Sequence, residues 1–243
     1  MITPKQIADK TMSKEKRASA KNDLLAFYIG RPISYVLTIP FLYTNIKPNT
    51  ISLISIIPQI IGFALFYFAE DKTMLIIAWL MFFLWNLLDG VDGNVARYKK
   101  QFSKLGSVYD AMSGYLASAL SFFSIGIVAA HFDCIFDDHM PLDKDFYLVL
   151  GGLSALFTLF PRLIMHKVIS TLMDKGNTEE VADRTNFGLV KIIALNLKST
   201  TGGAQALMLV AVLTGTSDVF TVFYFMFNSL IMLASLKSIL KEK

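Results

Sequence analysis

Long apolar segments constrain this chain more than any other feature of its sequence. Six of them are separated by short polar stretches, at about residues 48–69, 73–98, 104–131, 146–172, 199–214 and 218–237. A helix needs about 20 apolar residues to cross a bilayer, and only the fifth segment is marginal in length. Charged residues make up 17% of the chain, too few to cover a soluble bundle of so many apolar helices. We therefore predict an all-α, polytopic membrane protein with six transmembrane helices.

The first 47 residues differ in composition from the rest of the chain. Their first half is polar and basic, and the apolar stretch at 31–46 is short and interrupted by Pro32 and Pro40. We expect this stretch to form a short interfacial or partly re-entrant helix. The chain then divides into a basic amino-terminal segment with an interfacial helix, residues 1–47, and a six-helix transmembrane domain, residues 48–243.

The basic residues predict which way the helices cross the membrane. Lysine and arginine concentrate in the segments that face the cytoplasm. Of the 23 basic residues, the three loops on the opposite side keep only Lys72 and Lys144. We therefore expect both termini in the cytoplasm, and nucleic acid is not an expected partner because topology explains the charges. Cys134 is the only cysteine, which excludes an internal disulfide and a cysteine-based metal site.

Charged side chains are densest where the second and third apolar segments meet. Asp89 and Asp92 are three residues apart, so they share one face of a helix. A short loop makes the next segment antiparallel, which brings Asp110 back to the same end. Three carboxylates this close repel one another unless a divalent cation binds them, and their oxygens suit Mg²⁺, Mn²⁺ or Ca²⁺. The alternative is that they are solvated charges paired with Arg97 and Lys99.

The spacing of this cluster resembles that of a known family, the CDP-alcohol phosphotransferases. That family carries the pattern D-x2-D-G-x2-A-R-x8-G-x3-D-x3-D. The sequence matches seven of its eight fixed positions in register: Asp89, Asp92, Gly93, Ala96, Arg97, Gly106 and Asp110. Pro48–Asn49, before the first long segment, also resembles the family's Pro-Asn pair. Six spans behind a short amphipathic helix are similar to its core architecture.

The resemblance implies a reaction and its participants. Members transfer a substituted phosphoryl group from a CDP-linked donor to an acceptor alcohol and release CMP, mostly in phospholipid synthesis. The implied donor is CDP-diacylglycerol or another CDP-linked compound, and the implied acceptor is a small polar molecule, with or without a phosphate. The resemblance also implies a homodimer, acting at the cytoplasmic face of a bacterial or archaeal cell membrane.

The resemblance also assigns residues to the site. The implied ligands of Mg²⁺ or Mn²⁺ are Asp89, Asp92 and Asp110. The implied contacts to the CDP donor are Asp89, Gly93, Ala96, Arg97 and Gly106. Among these, the glycine and the alanine of the second segment would leave room for the cytidine, and the arginine would order the end of the helix.

One motif position departs from the family. The family has Asp where this sequence has Gly114, and that Asp is assigned as the base that deprotonates the acceptor hydroxyl. Losing a general base typically costs about 10²–10⁴ in rate. Three explanations remain open. The chain is a non-catalytic relative that binds metal and CDP-nucleotide, or its acceptor attacks through an oxygen that is already anionic, or another residue, such as His166, supplies the base.

A single arginine interrupts the fourth long segment. Arg162 stands in the apolar run 157–165, and a membrane arginine usually faces the bundle interior or an aqueous cavity. It resembles an arginine of family members whose acceptors are sugar or glycerol phosphates. We expect Arg162, together with Arg184 and Lys198, to bind an anion or phosphate of the acceptor. The alternative is that Arg162 snorkels to the membrane interface or pairs with an internal aspartate.

Overall fold

The computed structural model describes residues 2–135, 143–172 and 188–241, and in these ranges the chain is helical without any strand. Its α-helices are α1 (Pro4–Thr11), α2 (Lys14–Ala20), α3 (Arg31–Leu42), α4 (Pro48–Tyr67), α5 (Lys72–Lys99), α6 (Gly106–His131), α7 (Lys144–Leu172), α8 (Leu189–Lys198), α9 (Gly203–Thr214) and α10 (Ser217–Ile239). A π-helical turn, Ala26–Gly30, runs directly into α3. The predicted all-α fold class is confirmed.

Five helices in the described residues are long and apolar enough to cross a membrane: α4, α5, α6, α7 and α10. They coincide with five of the six predicted spans, which makes the chain a polytopic membrane protein. The remaining predicted span, 199–214, is the 12-residue helix α9. At 1.5 Å per residue it is about 18 Å long, against about 30 Å for the hydrocarbon core. A turn of serine, threonine and glycine residues ends α8 and starts α9 late, which explains its length.

Hydrogen bonds within the bundle attach α9 to α5. The side-chain amide of Asn86 donates to the backbone carbonyl of Thr201 at 2.8 Å and to the side-chain oxygen of Gln205 at 2.6 Å. The indole N–H of Trp79 donates to the backbone carbonyl of Gln205 at 2.9 Å. Polar groups in an apolar interior are stable only when they find such partners. These hydrogen bonds therefore hold the turn before α9 against Asn86 of α5, which lies three residues before Asp89.

The amino-terminal segment packs against the bundle. Ile7 of α1 is completely buried, and α1 contacts α3 and α5. The short helix predicted within residues 31–46 is α3, whose buried hydroxyls face α5. There the side-chain amide of Asn94 donates to the hydroxyls of Ser34 and Thr38, at 3.3 and 3.1 Å. Both elements thereby approach the part of α5 that carries the aspartates.

Two glycines allow α6 and α7 to touch through their backbones. A Cβ atom built at Gly126 would lie 2.7 Å from the carbonyl oxygen of Tyr147 and 2.8 Å from the Cα atom of Gly151. Membrane helices approach this closely only where small residues face each other. The pair therefore fixes how α7 stands against α6.

We predict that Gly126→Ala destabilises the protein by about 1–3 kcal/mol, because the added methyl group forces the two backbones apart. The matched control is Gly152→Ala on α7, where an added Cβ would meet no atom within 4 Å. That control should be neutral or slightly stabilising, since alanine favours helix more than glycine does. Unfolding of the purified protein in detergent measures both. Equal stability of the two variants would contradict the proposed contact.

Candidate active site

Three aspartates meet at one end of the bundle, which we call the aspartate end. One carboxylate oxygen from each of Asp89, Asp92 and Asp110 lies within 4.8 Å of the others. Helix α5 continues through its two aspartates and ends before Lys100, whose left-handed backbone (φ 55°) terminates it. Helix α6 then begins at Gly106 and brings its aspartate back to the same end. The structure thus joins the three residues that the sequence singled out.

A polar network from three helices supports these carboxylates. The hydroxyl of Ser52 on α4 donates to Oδ2 of Asp92, which is buried. One turn deeper, the buried hydroxyl of Ser113 contacts the hydroxyl of Ser55 at 2.8 Å, Nε1 of Trp85 at 2.8 Å and Nε2 of Gln59 at 3.1 Å. The network holds α4, α5 and α6 together beneath the carboxylates. Sequence analysis missed it, although serine and glutamine spaced along one face of an apolar helix were its signal.

No lysine or arginine forms an ion pair with these carboxylates in the described residues, although Arg97 is near enough to attract Asp92 and Asp110 electrostatically. The ion pairs found there are Arg17–Asp9 and Lys144–Asp133, both elsewhere in the molecule. Lys99 donates instead to the carbonyls of Phe41 at 3.0 Å and Thr44 at 2.6 Å. Of the alternative in which Arg97 and Lys99 neutralise the cluster, the structure therefore shows only an attraction of Arg97 to two of the three carboxylates, without an ion pair.

The cluster fits a divalent cation. Oδ1 of Asp89 is buried and has no hydrogen-bond partner, and three carboxylates supply the hard oxygen ligands that Mg²⁺ and Mn²⁺ prefer. Asp89, Asp92 and Asp110 could hold such an ion between them. When bound at this position, it would neutralise negative charge on a phosphate group.

Two cavities adjoin the aspartates. The first, of about 240 Å³ between α4, α5 and α6, is the α4–α6 cavity. It is lined by Asp92 and Asp110 and by the implied donor contacts Gly93, Ala96, Arg97 and Gly106. The second, of about 220 Å³, lies between α3, α5 and the turn before α9, and we call it the α3–α5 cavity. Asp89 lines this second cavity, and Gly93 and Arg97 line both.

Gly93 provides space for an arginine. A Cβ atom built there would lie 2.9 Å from Nη2 of Arg97, which is closer than ordinary van der Waals contact. The arginine therefore folds back over the glycine on the same helix, and any larger residue would displace its guanidinium. The expectation that Gly93 leaves room for cytidine stays a prediction.

Gly114 lies one helical turn after Asp110 and faces open space. A Cβ atom built there would have no other atom within 4 Å. Its carbonyl accepts a hydrogen bond from Ser118 at 2.8 Å, and that hydroxyl lies 3.3 Å from the hydroxyl of Thr200. This stretch of α6 thus runs towards the turn before α9, and an aspartate side chain would fit at position 114.

Arg162 and His166 line a third cavity, of about 420 Å³ between α6, α7 and α10. Nε2 of His166 lies 2.8 Å from the hydroxyl of Tyr115, and the guanidinium of Arg162 lies 5.0 Å from the centre of the same ring. This cavity shares no lining residue with the two beside the aspartates. The structure therefore joins Arg162 and His166 to each other, on a different face of α6 from the α4–α6 cavity.

The other two residues expected to bind an anion are not joined to Arg162 by any described contact. Lys198 is the last residue of α8 and its side chain is exposed. Arg184 lies outside the described residues. An acceptor pocket built from all three residues remains a prediction.

We predict that Asp89→Asn weakens Mn²⁺ binding at least about tenfold, because the ion loses a charged ligand. The control is Asp71→Asn at the other end of α5, where Oδ1 accepts the backbone N–H of Met74 at 2.8 Å. Asparagine preserves that helix cap, so Mn²⁺ affinity should not change. Titration of the purified protein followed by electron paramagnetic resonance measures free Mn²⁺. Absence of binding to the unaltered protein would exclude a metal site here.

Comparison with known families agrees with the geometry of the site. Residues 45–236 match the family described as CDP-alcohol phosphatidyltransferase, a range that includes all three aspartates and four of the five long helices completely. No curated protein matches the chain. Membership implies a transferase that moves a phosphatidyl group from a CDP-alcohol in phospholipid synthesis. The matched range is most of the chain, and the protein therefore belongs to the CDP-alcohol phosphatidyltransferase family.

Proposed function

We propose that the protein is a metal-dependent transferase that moves the phosphatidyl group of CDP-diacylglycerol to a small polar acceptor and releases CMP. The observation that carries this proposal is the group of three carboxylates within 4.8 Å of one another, beside a cavity open at the end of a membrane bundle. Such a group suits a cation bound to a diphosphate more than any role in folding, because unpaired carboxylates destabilise the bundle.

The reaction has a simple balance. An oxygen of the acceptor bonds to the phosphorus that carries the lipid, and the bond from that phosphorus to the oxygen of CMP breaks. CMP leaves with the electron pair of the broken bond. The acceptor hydroxyl loses its proton, which passes to a base or to water. Stabilisation of the negative charge that develops on the phosphoryl oxygens is the main contribution a site of this kind makes.

Transfer of the acceptor proton needs a separate explanation, because Gly114 has no side chain that could receive the proton. An acceptor that attacks through an ionised phosphate oxygen needs no base, and we favour this type of acceptor. Arg162 supports it, because a membrane arginine without a carboxylate partner in the described residues suits an anion. The cavity that Arg162 lines is also lined by Tyr115, the residue next to Gly114. His166 as a substitute base would need an acceptor that reaches both cavities.

The charge distribution supports a cytoplasmic site. Lys99, Lys100 and Lys104 lie at the aspartate end of the bundle, and Lys72 and Lys144 lie at the other end. Because lysine concentrates on the cytoplasmic side, we place the aspartate end and both termini there. We place the protein, as a homodimer, in the cell membrane of a bacterium or archaeon.

A second candidate function follows from Gly114 alone. A chain that keeps the carboxylates but lacks the base position could bind metal and CDP-nucleotide without turnover. This candidate predicts nucleotide binding with no release of CMP, whatever acceptor is supplied. The two candidates therefore differ in one measurable quantity.

We predict CMP release from CDP-diacylglycerol by the purified protein with Mg²⁺ or Mn²⁺, tested against a panel of phosphorylated acceptors and neutral alcohols. Gly114→Asp should raise the rate with neutral alcohols by about 10²–10⁴, because it adds a base where space is open. Gly114→Asn is the matched control, since it has the same shape without the carboxylate, and should give no gain. CDP binding without CMP release in every variant would favour the second candidate.

We predict that Arg162→Gln raises KM for a phosphorylated acceptor about tenfold, because a charge-assisted contact to the phosphate is lost. KM for a neutral alcohol, measured with the Gly114→Asp protein as background, should stay the same. The neutral acceptor thereby serves as an internal control for folding. Equal changes in both constants would assign Arg162 to the structure of the bundle and not to the acceptor.

A further inference from the structure

The α3–α5 cavity contains two arginine side chains from different helices. Arg31 is the first residue of α3, and Arg97 lies in the last turn of α5. Both line the cavity of about 220 Å³, and both are partly exposed. The two guanidiniums are near enough to repel each other electrostatically. The lining of the cavity therefore carries two positive charges, one from α3 and one from α5.

Neither arginine has an anionic side chain as an ion-pair partner in the part of the chain that the structure describes. The Nε–H group of Arg97 is buried and donates to no partner in the described residues. Asp92 and Asp110 attract Arg97 electrostatically, and two like charges in one partly buried cavity are stabilised further when an anion binds between them. Guanidinium groups, with their planar set of donors, bind phosphate oxygens in preference to most other anions.

The remaining polar groups of the cavity are already used. The amide of Asn94 donates to hydroxyls of α3, and the amide of Asn86 donates to Thr201 and Gln205. The exception is Asp89, whose buried Oδ1 atom has no partner. The cavity thus presents two guanidiniums that form no ion pair in the described residues, together with one candidate metal ligand.

We propose that Arg31, together with Arg97, holds the diphosphate of the CDP-linked donor in the α3–α5 cavity. This inference rests on the proposed function and adds a substrate contact to it. Arg31 precedes the range 45–236 that matches the family, so membership of the family does not assign this residue. The contact comes instead from the amino-terminal segment, through α3.

Charge supports this assignment to the donor. The three carboxylates carry three negative charges, and a diphosphate esterified at both ends carries two more. One divalent cation offsets two of these charges, and the two arginines offset another two. With the arginines one negative charge remains, whereas without them three would remain beside a membrane, which is costly. The diphosphate is therefore where the arginines have most effect.

The geometry also suits a ligand with two phosphates. The α3–α5 and α4–α6 cavities share Gly93 and Arg97, so the arginine stands where the two cavities meet. A diphosphate could reach the carboxylates with one phosphate and the two arginines with the other. The π-helical turn Ala26–Gly30 sets the position of Arg31, and π-turns inside helices frequently occur at functional sites.

The test is calorimetric binding of CDP, CMP, cytidine and inorganic phosphate to the full-length protein in detergent with Mg²⁺. We expect Arg31→Gln to raise the Kd for CDP at least about tenfold and to leave the Kd for cytidine unchanged. Arg17→Gln is the control, because it removes the same charge from an exposed position on α2. Arg31→Lys should recover part of the CDP affinity, since it restores the charge but not the planar fork.

Several outcomes would overturn the inference. A change of less than twofold for CDP in Arg31→Gln excludes the contact and leaves the proposed function intact. Equal weakening of CDP and cytidine indicates a structural role for Arg31. A loss confined to inorganic phosphate, with CDP binding unchanged, moves the contact to the acceptor. Absence of CDP binding to the unaltered protein rejects the proposed function and the inference together. If Arg31→Gln does not fold, a CDP affinity of Arg31→Lys equal to the unaltered protein's also rejects the fork contact.

Discussion

The repulsion among three carboxylates is the constraint on which the rest of the aspartate end depends. Two unit charges about 4 Å apart interact by about 4 kcal/mol at an effective dielectric constant of 20. Asp89, Asp92 and Asp110 stand this close while helix packing holds them in place. The hydroxyl of Ser52 stabilises one of them, and Asp89 keeps an oxygen without any partner. The protein alone therefore leaves negative charge at the cluster, which in the proposed function a cation bound with the diphosphate would offset.

Packing inside the bundle explains how such a strained cluster persists. The buried hydroxyl of Ser113 joins α4, α5 and α6 just below the carboxylates, and Asn86 joins α5 to the turn before α9. In apolar surroundings no water is available to hydrogen-bond with these groups, so separating the helices would leave their donors and acceptors without partners. The cost of opening the bundle is what holds the carboxylates together. The geometry of the site therefore depends on the polar network, although only the aspartates carry charge.

The long helices and the aspartates could be predicted from the sequence because both depend on local patterns. Apolar length predicts a span, and a spacing of three residues puts Asp89 and Asp92 on one helix face. The short α9 was harder to foresee, because it depends on a turn whose position is set by its bonds to Asn86. Ser52 and Arg31 were missed because they reach the site from other helices. Arg162 and His166 are four residues apart on α7, and only the packing of α7 reveals which cavity they line.

The surroundings of the glycines distinguish positions where helix packing requires glycine from positions where it does not. At Gly126 and Gly151 a side chain would collide with the neighbouring helix, so glycine is needed for the fold. At Gly114 nothing lies within 4 Å, and glycine there weakens the helix by roughly 0.5–1 kcal/mol relative to alanine with no gain in packing. Gly152 is equally open but lies on α7, whereas Gly114 lies one turn from a site carboxylate. The open space beside it can therefore accommodate a longer side chain without displacing a neighbouring residue. Packing thus does not explain glycine at 114, which connects the absent base to the chemistry of the acceptor and not to the stability of α6.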